Sequence, residues 1–395
     1  MITQFRSFDR SVQLLLLNQF SINVGFYMLM PYLASHLSVT LALAGWAVGL
    51  VLGVRNFAQQ GMFLIGGTLA DRLGYKPLIV AGCALRTGGF ALLGLVDGLP
   101  ALVIASAATG FAGALFNPAV RAYVAADAGE RRVEAFALFN VFYQTGILVG
   151  PLIGLALTAV DFRLTCLVAA FVFLVLTVLQ WRSLPARAGG ASSGSVLADW
   201  RLVFSNRRFV LFALAMIGSY VLSFQVYLAL PLASGSAVLT AVLFAVSGIL
   251  SIAGQMRVTA WVRARFGPDR ALVLGVVVLA AAFVPAIPGG WAGLVACAAL
   301  LALGTMVVFP FEMDKIVALA DNRLVATHYG LYNTVVGVGI LLGNLLTGIA
   351  FDTAERAGVP WMPWLALTAV GLGCAWALKK LASRVEPEVA HSTYL

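Results

Sequence analysis

Long apolar runs recur along this chain of 395 residues. Each run reaches about the 20 residues that an α-helix needs to cross the hydrocarbon core of a bilayer. Hydrophobic residues make up 61% of the sequence and charged residues 10%, whereas soluble domains hold roughly 25% charged residues. Backbone polar groups inside a bilayer must be paired within the segment, so these runs form helices. The sequence predicts an all-α integral membrane protein.

Twelve such runs can be separated, and they divide into two sets of six. The predicted transmembrane helices 1–12 lie at 11–35, 41–69, 77–96, 100–125, 134–159, 162–182, 207–232, 236–263, 270–288, 291–319, 325–350 and 360–381. A polar stretch at 183–206 contains Gly189, Gly190, Ser192 and Ser193, a composition typical of a flexible linker. It predicts an N-terminal six-helix bundle at 1–182, a cytoplasmic linker at 183–206 and a C-terminal six-helix bundle at 207–395, as in transporters built from two related halves.

The basic residues are distributed unevenly between the two sides of this arrangement. Most of the 25 Lys and Arg fall in loops on one side, whereas the other side receives Arg163 and Arg356. Lys and Arg accumulate in cytoplasmic loops, so both termini are predicted to be cytoplasmic in the inner membrane of a bacterium. The net charge of +9 therefore reflects orientation and does not indicate a nucleic-acid partner.

The loop between predicted helices 2 and 3 reads GTLADRLGYK from Gly67 to Lys76. It resembles the G-x-L-A-D-R-x-G-R-K signature that the major facilitator superfamily carries in this loop, with Tyr75 in place of the usual Arg. A small residue at Gly67 permits close helix approach, and Gly74 permits a tight turn.

The resemblance implies a twelve-helix fold of two six-helix bundles. It also implies a conformational latch formed by Gly67, Asp71, Arg72, Gly74 and Lys76. In that family the Asp of this loop contacts the start of helix 11, which begins near Thr327 here. A carboxylate is favourable at a helix N-terminus.

Predicted helix 5 contains Gly146, Gly150, Pro151 and Gly154. This spacing looks like the G-x-x-x-G-P-x-x-G motif of proton-coupled exporters, which that family places at the interface of helices 5 and 8. Glycines four apart give a flat packing face, and proline bends a helix. Ordinary small-residue packing is the alternative interpretation.

Three further segments resemble the bacterial multidrug-resistance branch of twelve-helix drug:proton antiporters. They are Gly53–Gly61, Arg86–Phe90 and Phe116–Pro118. One family feature is missing, because Ser106 stands where many relatives place an Arg that is linked to proton coupling.

Ionisable residues inside a bilayer are functional candidates, because leaving them there is costly. Arg55 and Arg86 fall within predicted helices 2 and 3, and Glu312 and Asp314 within predicted helix 10. All four are candidates for proton binding or coupling. Structural pairing is the alternative for the arginines. For the acids it is a helix end paired with Lys315 or with Arg323.

Uncharged polar residues in the predicted helices could line a substrate cavity, or could instead form hydrogen bonds between helices. The cavity candidates are Asn23, Tyr27, Gln59, Asn140, Tyr143, Gln144, Tyr220, Gln225 and Asn333.

These features predict a secondary active transporter that exports small amphipathic or cationic molecules by proton antiport with alternating access. The alternatives are an exporter of one endogenous metabolite, such as a siderophore or metallophore, and a proton-coupled uptake symporter. We expect no cofactor, with the proton gradient as energy source, and a monomer in the lipid bilayer. The sequence has no H-E-x-x-H or Walker-type motif, which argues against an enzyme.

Overall fold

A computed structural model describes residues 2–43, 45–189, 195–234 and 237–392. Over those ranges the regular structure is helical throughout, with no β-strand. The helices in chain order are α1 (Ile2–Arg6), α2 (Arg10–Tyr27), α3 (Met30–Ser35), α4 (Gly45–Gln60), α5 (Phe63–Leu73), α6 (Tyr75–Leu95), α7 (Leu99–Ala128), α8 (Arg132–Thr158), α9 (Phe162–Ser183), α10 (Val196–Ser205), α11 (Arg207–Ser223), α12 (Ala229–Ser234), α13 (Ala237–Arg265), α14 (Pro268–Ala281), α15 (Trp291–Leu319), α16 (Val325–Ala357) and α17 (Met362–Ser392).

Every predicted span coincides with one helix or with two consecutive helices. Predicted helix 1 is divided into α2 and α3, predicted helix 2 into α4 and α5, and predicted helix 7 into α11 and α12. In the part of the chain that the structure describes, nine stretches are long and apolar enough to cross a membrane. One of them, Leu99–Thr158, comprises both α7 and α8, which a short 3-10 turn joins.

The chain forms two compact units. Unit 1 comprises residues 1–205 and 316–334, and unit 2 comprises residues 206–315 and 335–395. The end of α15 and the start of α16 therefore belong to unit 1, although both were predicted to lie in the C-terminal bundle.

Close helix packing in unit 1 depends on glycine. Helix α6 packs along α7 and α9, α4 packs along α7, and α2 packs along α8. A β-carbon on Gly66 would lie 1.9 Å from the carbonyl oxygen of Ala114, and one on Gly110 would lie 2.2 Å from that of Arg55. These contacts bring helix backbones together as small residues do in membrane proteins.

In unit 2, α17 packs along α14 and α11. A β-carbon on Gly371 of α17 would lie 2.5 Å from Cβ of Ala280 in α14. Phe283 at the end of α14 is fully buried and stacks with Trp364 of α17 at a ring distance of 6.3 Å.

The predicted linker is partly helical. Residues 190–194, which include Gly190, Ser192 and Ser193, lie outside the described residues. The remainder contains α10, whose Asp199 and Val203 are both fully buried. This half of the linker is a helix with two fully buried side chains, whereas the Gly- and Ser-rich stretch that indicated flexibility lies almost entirely outside the described residues.

Candidate functional site: a polar cavity, a buried carboxyl and the α5–α6 loop

A cavity of about 70 Å³ lies among the helices of unit 1. Five of the predicted cavity or coupling residues line it, namely Asn23, Tyr27, Gln59, Arg86 and Tyr143. Its wall is completed by Gln19, Ile22, Phe26, Phe116 and Asn117. Residues 19, 23 and 27 are successive i, i+4 positions and therefore lie on one face of α2.

The guanidinium of Arg86 is the most buried charge in this cavity, with 2% of the residue exposed. Its Nε and Nη2 atoms donate to the carbonyl oxygen of Thr109, at 3.3 and 2.9 Å. The charge lies over three aromatic rings, at 4.8 Å from Phe116, 5.2 Å from Phe26 and 5.4 Å from Phe173. The negative faces of aromatic rings attract a cation, so these rings stabilise the buried charge.

Arg55 reaches the same aromatic cluster from α4. Its guanidinium lies 4.8 Å from the centre of the Phe26 ring, so Phe26 contacts both arginines. Nη2 of Arg55 donates to Oδ1 of Asn56 at 2.6 Å, whereas its buried Nη1 has no hydrogen-bond partner among the described residues.

Helix α7 contacts the Arg86 side chain at Thr109 and Gly113. Thr109 lies one turn after Ser106, the position at which many relatives of the resembled family place an Arg. A β-carbon on Gly113 would lie 2.7 Å from Nη2 of Arg86 and 3.2 Å from Cδ of Gln59. Gly113 therefore makes room for both side chains.

A buried carboxyl group lies in unit 2. Glu312 of α15 is 2% exposed, and its Oε1 accepts a hydrogen bond from the Tyr220 hydroxyl at 2.7 Å. Tyr220 lies on α11, 92 residues earlier. Two residues predicted for different roles, coupling and substrate binding, thus form one pair.

Asp314 is half-buried. The sequence offers Lys315 as a candidate partner for Glu312 or Asp314. In the structure, Nζ of Lys315 forms an ion pair with Oδ1 of Asp269 at 2.6 Å. Asp269 lies in the first turn of α14, so Lys315 connects α15 to α14.

The predicted loop of residues 67–76 is formed by the end of α5, Gly74 and the start of α6. Asp71, in the last turn of α5, makes the contact that the family resemblance implies. The Asp71 carboxylate is buried and accepts from the backbone N–H of Ala326 at 3.2 Å and of Thr327 at 2.6 Å. The Thr327 hydroxyl donates to it at 2.7 Å. These groups form the first turn of α16, where a negative charge offsets the unpaired N–H groups.

Two glycines of this motif, Gly67 in α5 and Gly74 between α5 and α6, are required by geometry. A β-carbon on Gly67 would lie 2.2 Å from the carbonyl oxygen of Ala326. Gly74 has φ +91°, a value that L-residues with a side chain rarely adopt. Lys76 is half-exposed and forms no ion pair with any described residue.

Arg72, in the last turn of α5, forms an ion pair with a residue of α10. Its Nε donates to Oδ2 of Asp199 at 2.8 Å, and its Nη2 lies 2.7 Å from the same oxygen. The next residue, Trp200, donates from its indole nitrogen to the Thr68 hydroxyl at 2.7 Å. Helix α10 is therefore attached to α5 at two consecutive positions.

The three glycines of the helix 5 motif pack against α2 and the turn that follows it. A β-carbon on Gly146 would lie 2.6 Å from Cβ of Asn23, one on Gly150 2.8 Å from Cβ of Tyr27, and one on Gly154 2.0 Å from the carbonyl oxygen of Met28. The carbonyl of Pro151 accepts from the Tyr32 hydroxyl at 2.7 Å. The glycines thus bring α8 against the helix that carries the cavity residues. The interface role that the resemblance implies for this motif stays a prediction.

The remaining predicted cavity residues do not line this cavity. Gln225 donates to the Val221 carbonyl at 2.9 Å and to Oδ1 of Asn344 at 3.4 Å. Asn333 accepts from Nη1 of Arg121 at 3.0 Å. Asn140 is buried and Gln144 half-buried on α8, and neither is among the residues that line the cavity.

Several structurally important residues gave no clear signal in the sequence. Phe26 and Phe116 are two of 25 phenylalanines, and nothing in the sequence separates aromatic partners of an arginine from ordinary apolar residues. Asp199 had a recognisable signal, since it is the single acid between Asp161 and Asp269 and stands beside a tryptophan.

An all-α chain with many apolar helices, a polar cavity among them and a buried carboxyl defines a membrane transporter of small molecules. The sequence profile of the Major Facilitator Superfamily matches residues 15–387, and the chain belongs to this family. It is therefore a multi-pass membrane protein and not an enzyme.

Two curated proteins and one solved structure are similar to this chain. The MFS-type transporter Rv0849 of Mycobacterium tuberculosis (strain H37Rv) is 54% identical, covering 95% of this chain and 94% of the relative. The multidrug resistance protein MdtH of Salmonella arizonae is 29% identical, covering 90% of each. The E. coli fucose:proton symporter FucP has the same fold, with a TM-score of 0.74 at 16% identity, covering 94% of this chain and 98% of FucP.

Proposed function

We propose that this protein exports small amphipathic molecules across a bacterial inner membrane in exchange for protons. The observation that carries the proposal is the pair formed by Glu312 and Tyr220. A buried carboxyl is costly when charged, and the Tyr220 hydroxyl donates a hydrogen bond to it. Binding and release of a proton at Glu312 would change the charge at this buried position and so bias the conformational equilibrium of the transporter.

One end of the substrate would bind in the cavity of unit 1. Aromatic faces from Phe26 and Phe116 and polar groups from Asn23, Gln59 and Tyr143 suit a molecule with apolar and polar parts. The direction of transport is supported by the similarity to MdtH, which is named for multidrug resistance. It is also supported by the glycine motif in α8, which resembles that of proton-coupled exporters.

In this proposal the protein is a monomer with both termini in the cytoplasm. It needs no cofactor, and the proton gradient is its energy source. Alternating access in this class of transporter is a movement of two halves around a central site. The binding free energy of the substrate need only differ between the two conformations for transport to be coupled.

The test uses inside-out membrane vesicles with an imposed proton gradient and a pH-sensitive dye. Cationic dyes, tetracyclines, chloramphenicol-like drugs and metal chelators are added in turn, and a substrate is a compound that dissipates the gradient only when the protein is present. Glu312→Gln should abolish the response, and Tyr220→Phe should weaken it, while Asp97→Asn, an exposed acid paired with Arg163, should respond like the wild type.

A normal response from Glu312→Gln would refute the role of this carboxyl. If Asp314→Asn alone lost the response, Asp314 would be the proton carrier instead. Compound-driven gradient loss only in right-side-out vesicles would indicate uptake. No response to any drug, with a response to a metallophore or siderophore, would establish the narrow metabolite exporter.

A further inference from the structure

Arg86 lines the unit 1 cavity, and Arg55 lies on the same Phe26 ring as Arg86, with no carboxylate among the lining residues. The sequence holds no Asp or Glu at 10–70, 72–96, 98–126 or 135–160, and these ranges include every cavity-lining residue. Among the described residues, therefore, no carboxylate forms an ion pair with either guanidinium.

Buried guanidinium groups without a carboxylate partner destabilise a folded protein unless a ligand pairs with them. An unpaired charge in an apolar environment is strongly unfavourable. The rings of Phe26, Phe116 and Phe173 reduce this cost, and the Thr109 carbonyl takes two of the N–H groups of Arg86. A guanidinium has five N–H donors, so most of the hydrogen-bonding capacity of Arg86 is not used by Thr109.

From these observations we infer that the cavity binds the anionic group of a ligand, a carboxylate being the simplest case. This assignment rests on the proposed transport function and narrows its substrate class to anionic amphiphiles, opposite in charge to the cationic compounds that the sequence led us to expect. Guanidinium groups match carboxylates in geometry.

The dimensions and the lining agree with an anionic head group. The cavity volume of about 70 Å³ holds a few water molecules or one small charged group. The ring of Phe26, which contacts both guanidinium groups, and the ring of Phe116 present apolar faces to the part of the ligand next to its charge. Nη1 of Arg55, buried and without a hydrogen-bond partner, is available as a donor.

A charge series of nearly identical shape tests the assignment. Benzoate, benzamide and benzamidinium carry charges of −1, 0 and +1 on the same ring. Binding of radiolabelled benzoate to the full-length protein in neutral detergent is measured by equilibrium dialysis at pH 7.5, with the other two compounds as competitors. Benzoate should bind about tenfold or more tightly than benzamide, the ratio expected for hydrogen bonds to a charged group, and benzamidinium should not compete.

Variants of the cavity separate binding from folding. Arg86→Gln should remove the preference for benzoate, while Arg86→Lys, which keeps the charge, should retain part of it. Gln59→Glu places a carboxylate beside Arg86 over Gly113, where it would pair with the guanidinium, and it should strongly weaken the binding of benzoate. The control is Arg163→Gln, which removes an exposed arginine of the same unit and should leave the series unchanged.

Equal binding of the three compounds by the wild type, or a preference for benzamidinium, would overturn the assignment. So would an unchanged benzoate preference in Arg86→Gln. If Arg86→Gln does not fold, Gln59→Glu and Arg55→Gln decide the question, since a benzoate preference that survives both contradicts it. Dialysis uses no proton gradient, so its failure is distinct from that of proton exchange in vesicles. Antiport of cationic dyes without a benzoate preference would refute the anionic site alone.

Discussion

The carboxylate of Asp71 accepts two hydrogen bonds from Thr327, one from its backbone N–H at 2.6 Å and one from its hydroxyl at 2.7 Å. The two residues are 256 positions apart. The contact joins the last turn of α5 to the first turn of α16, and it combines a charge-assisted hydrogen bond with the positive end of a helix.

Asp71→Asn should destabilise unit 1, because it removes the negative charge from the N-terminus of α16 while keeping the size of the side chain. The expected loss is about 1.5–3 kcal/mol, the range for hydrogen bonds to a charged group. The thermal unfolding midpoint in detergent measures it. Thr327→Val should cost less, and the double variant should be non-additive, whereas Asp97→Asn should have little effect. Additive losses would show that the two side chains do not interact.

Gly67→Ala should destabilise the protein through a steric clash, since the new β-carbon would lie 2.2 Å from the Ala326 carbonyl oxygen. Overpacking of this kind costs about 1–3 kcal/mol. The matched control is Gly88→Ala in α6, where no atom lies within 4 Å of a new β-carbon; it should be neutral or slightly stabilising. The same thermal midpoint is compared for both, and equal midpoints would contradict the close approach of α5 and α16.

Asp199→Asn should release helix α10 from α5, because the buried carboxylate pairs with Arg72. Arg201, two residues later, is exposed and offers a site for trypsin. Cleavage there should become about tenfold faster, as expected when local opening becomes easier by roughly 1.4 kcal/mol. Ser205→Ala, at the exposed end of the same helix, should cleave at the wild-type rate. A rate unchanged by Asp199→Asn would show that the ion pair does not hold the helix.

His36, just after α3, should make stability depend on pH. Its ring stacks on Phe162 at a centroid distance of 3.9 Å, and burial lowers the pKa of His36 below its ordinary value of 6.5. The nearby carboxylates of Asp97 and Asp161 partly oppose this shift, whereas Arg163 adds to it.

The direction in which stability changes with pH follows from the lowered pKa of His36. Above pH 6.5 the imidazole is neutral in both the folded and the unfolded protein, so its contribution to stability is fully present. As the pH falls below 6.5, the unfolded chain binds the proton more readily, and stability is lost. The thermal midpoint of the wild type should therefore drop more between pH 7.5 and pH 5.5 than that of His36→Gln. Equal drops would contradict the shift.

Much of the architecture could be predicted from consecutive residues. The length and polarity of each apolar run determine whether it can cross a bilayer as a helix, because the backbone hydrogen bonds of a helix are local. Gly74 predicted a tight turn, and the structure has a residue with positive φ at this position. The contact of Asp71 with the start of α16 followed from a family resemblance and not from spacing.

The composition of the cavity and the partner of Glu312 were decided by tertiary structure. Helices α2, α4 and α6 direct polar side chains into the cavity, among them Asn23, Gln59 and Arg86. The side chain of Asn333 instead accepts a hydrogen bond from Arg121. The pair of Glu312 with Tyr220 joins two helices 92 residues apart. A sequence specifies which residues are polar and on which face of their own helix they lie. The rotation and crossing of helices, set by glycine contacts such as Gly110 on Arg55 and Gly146 on Asn23, decide which of those faces meet.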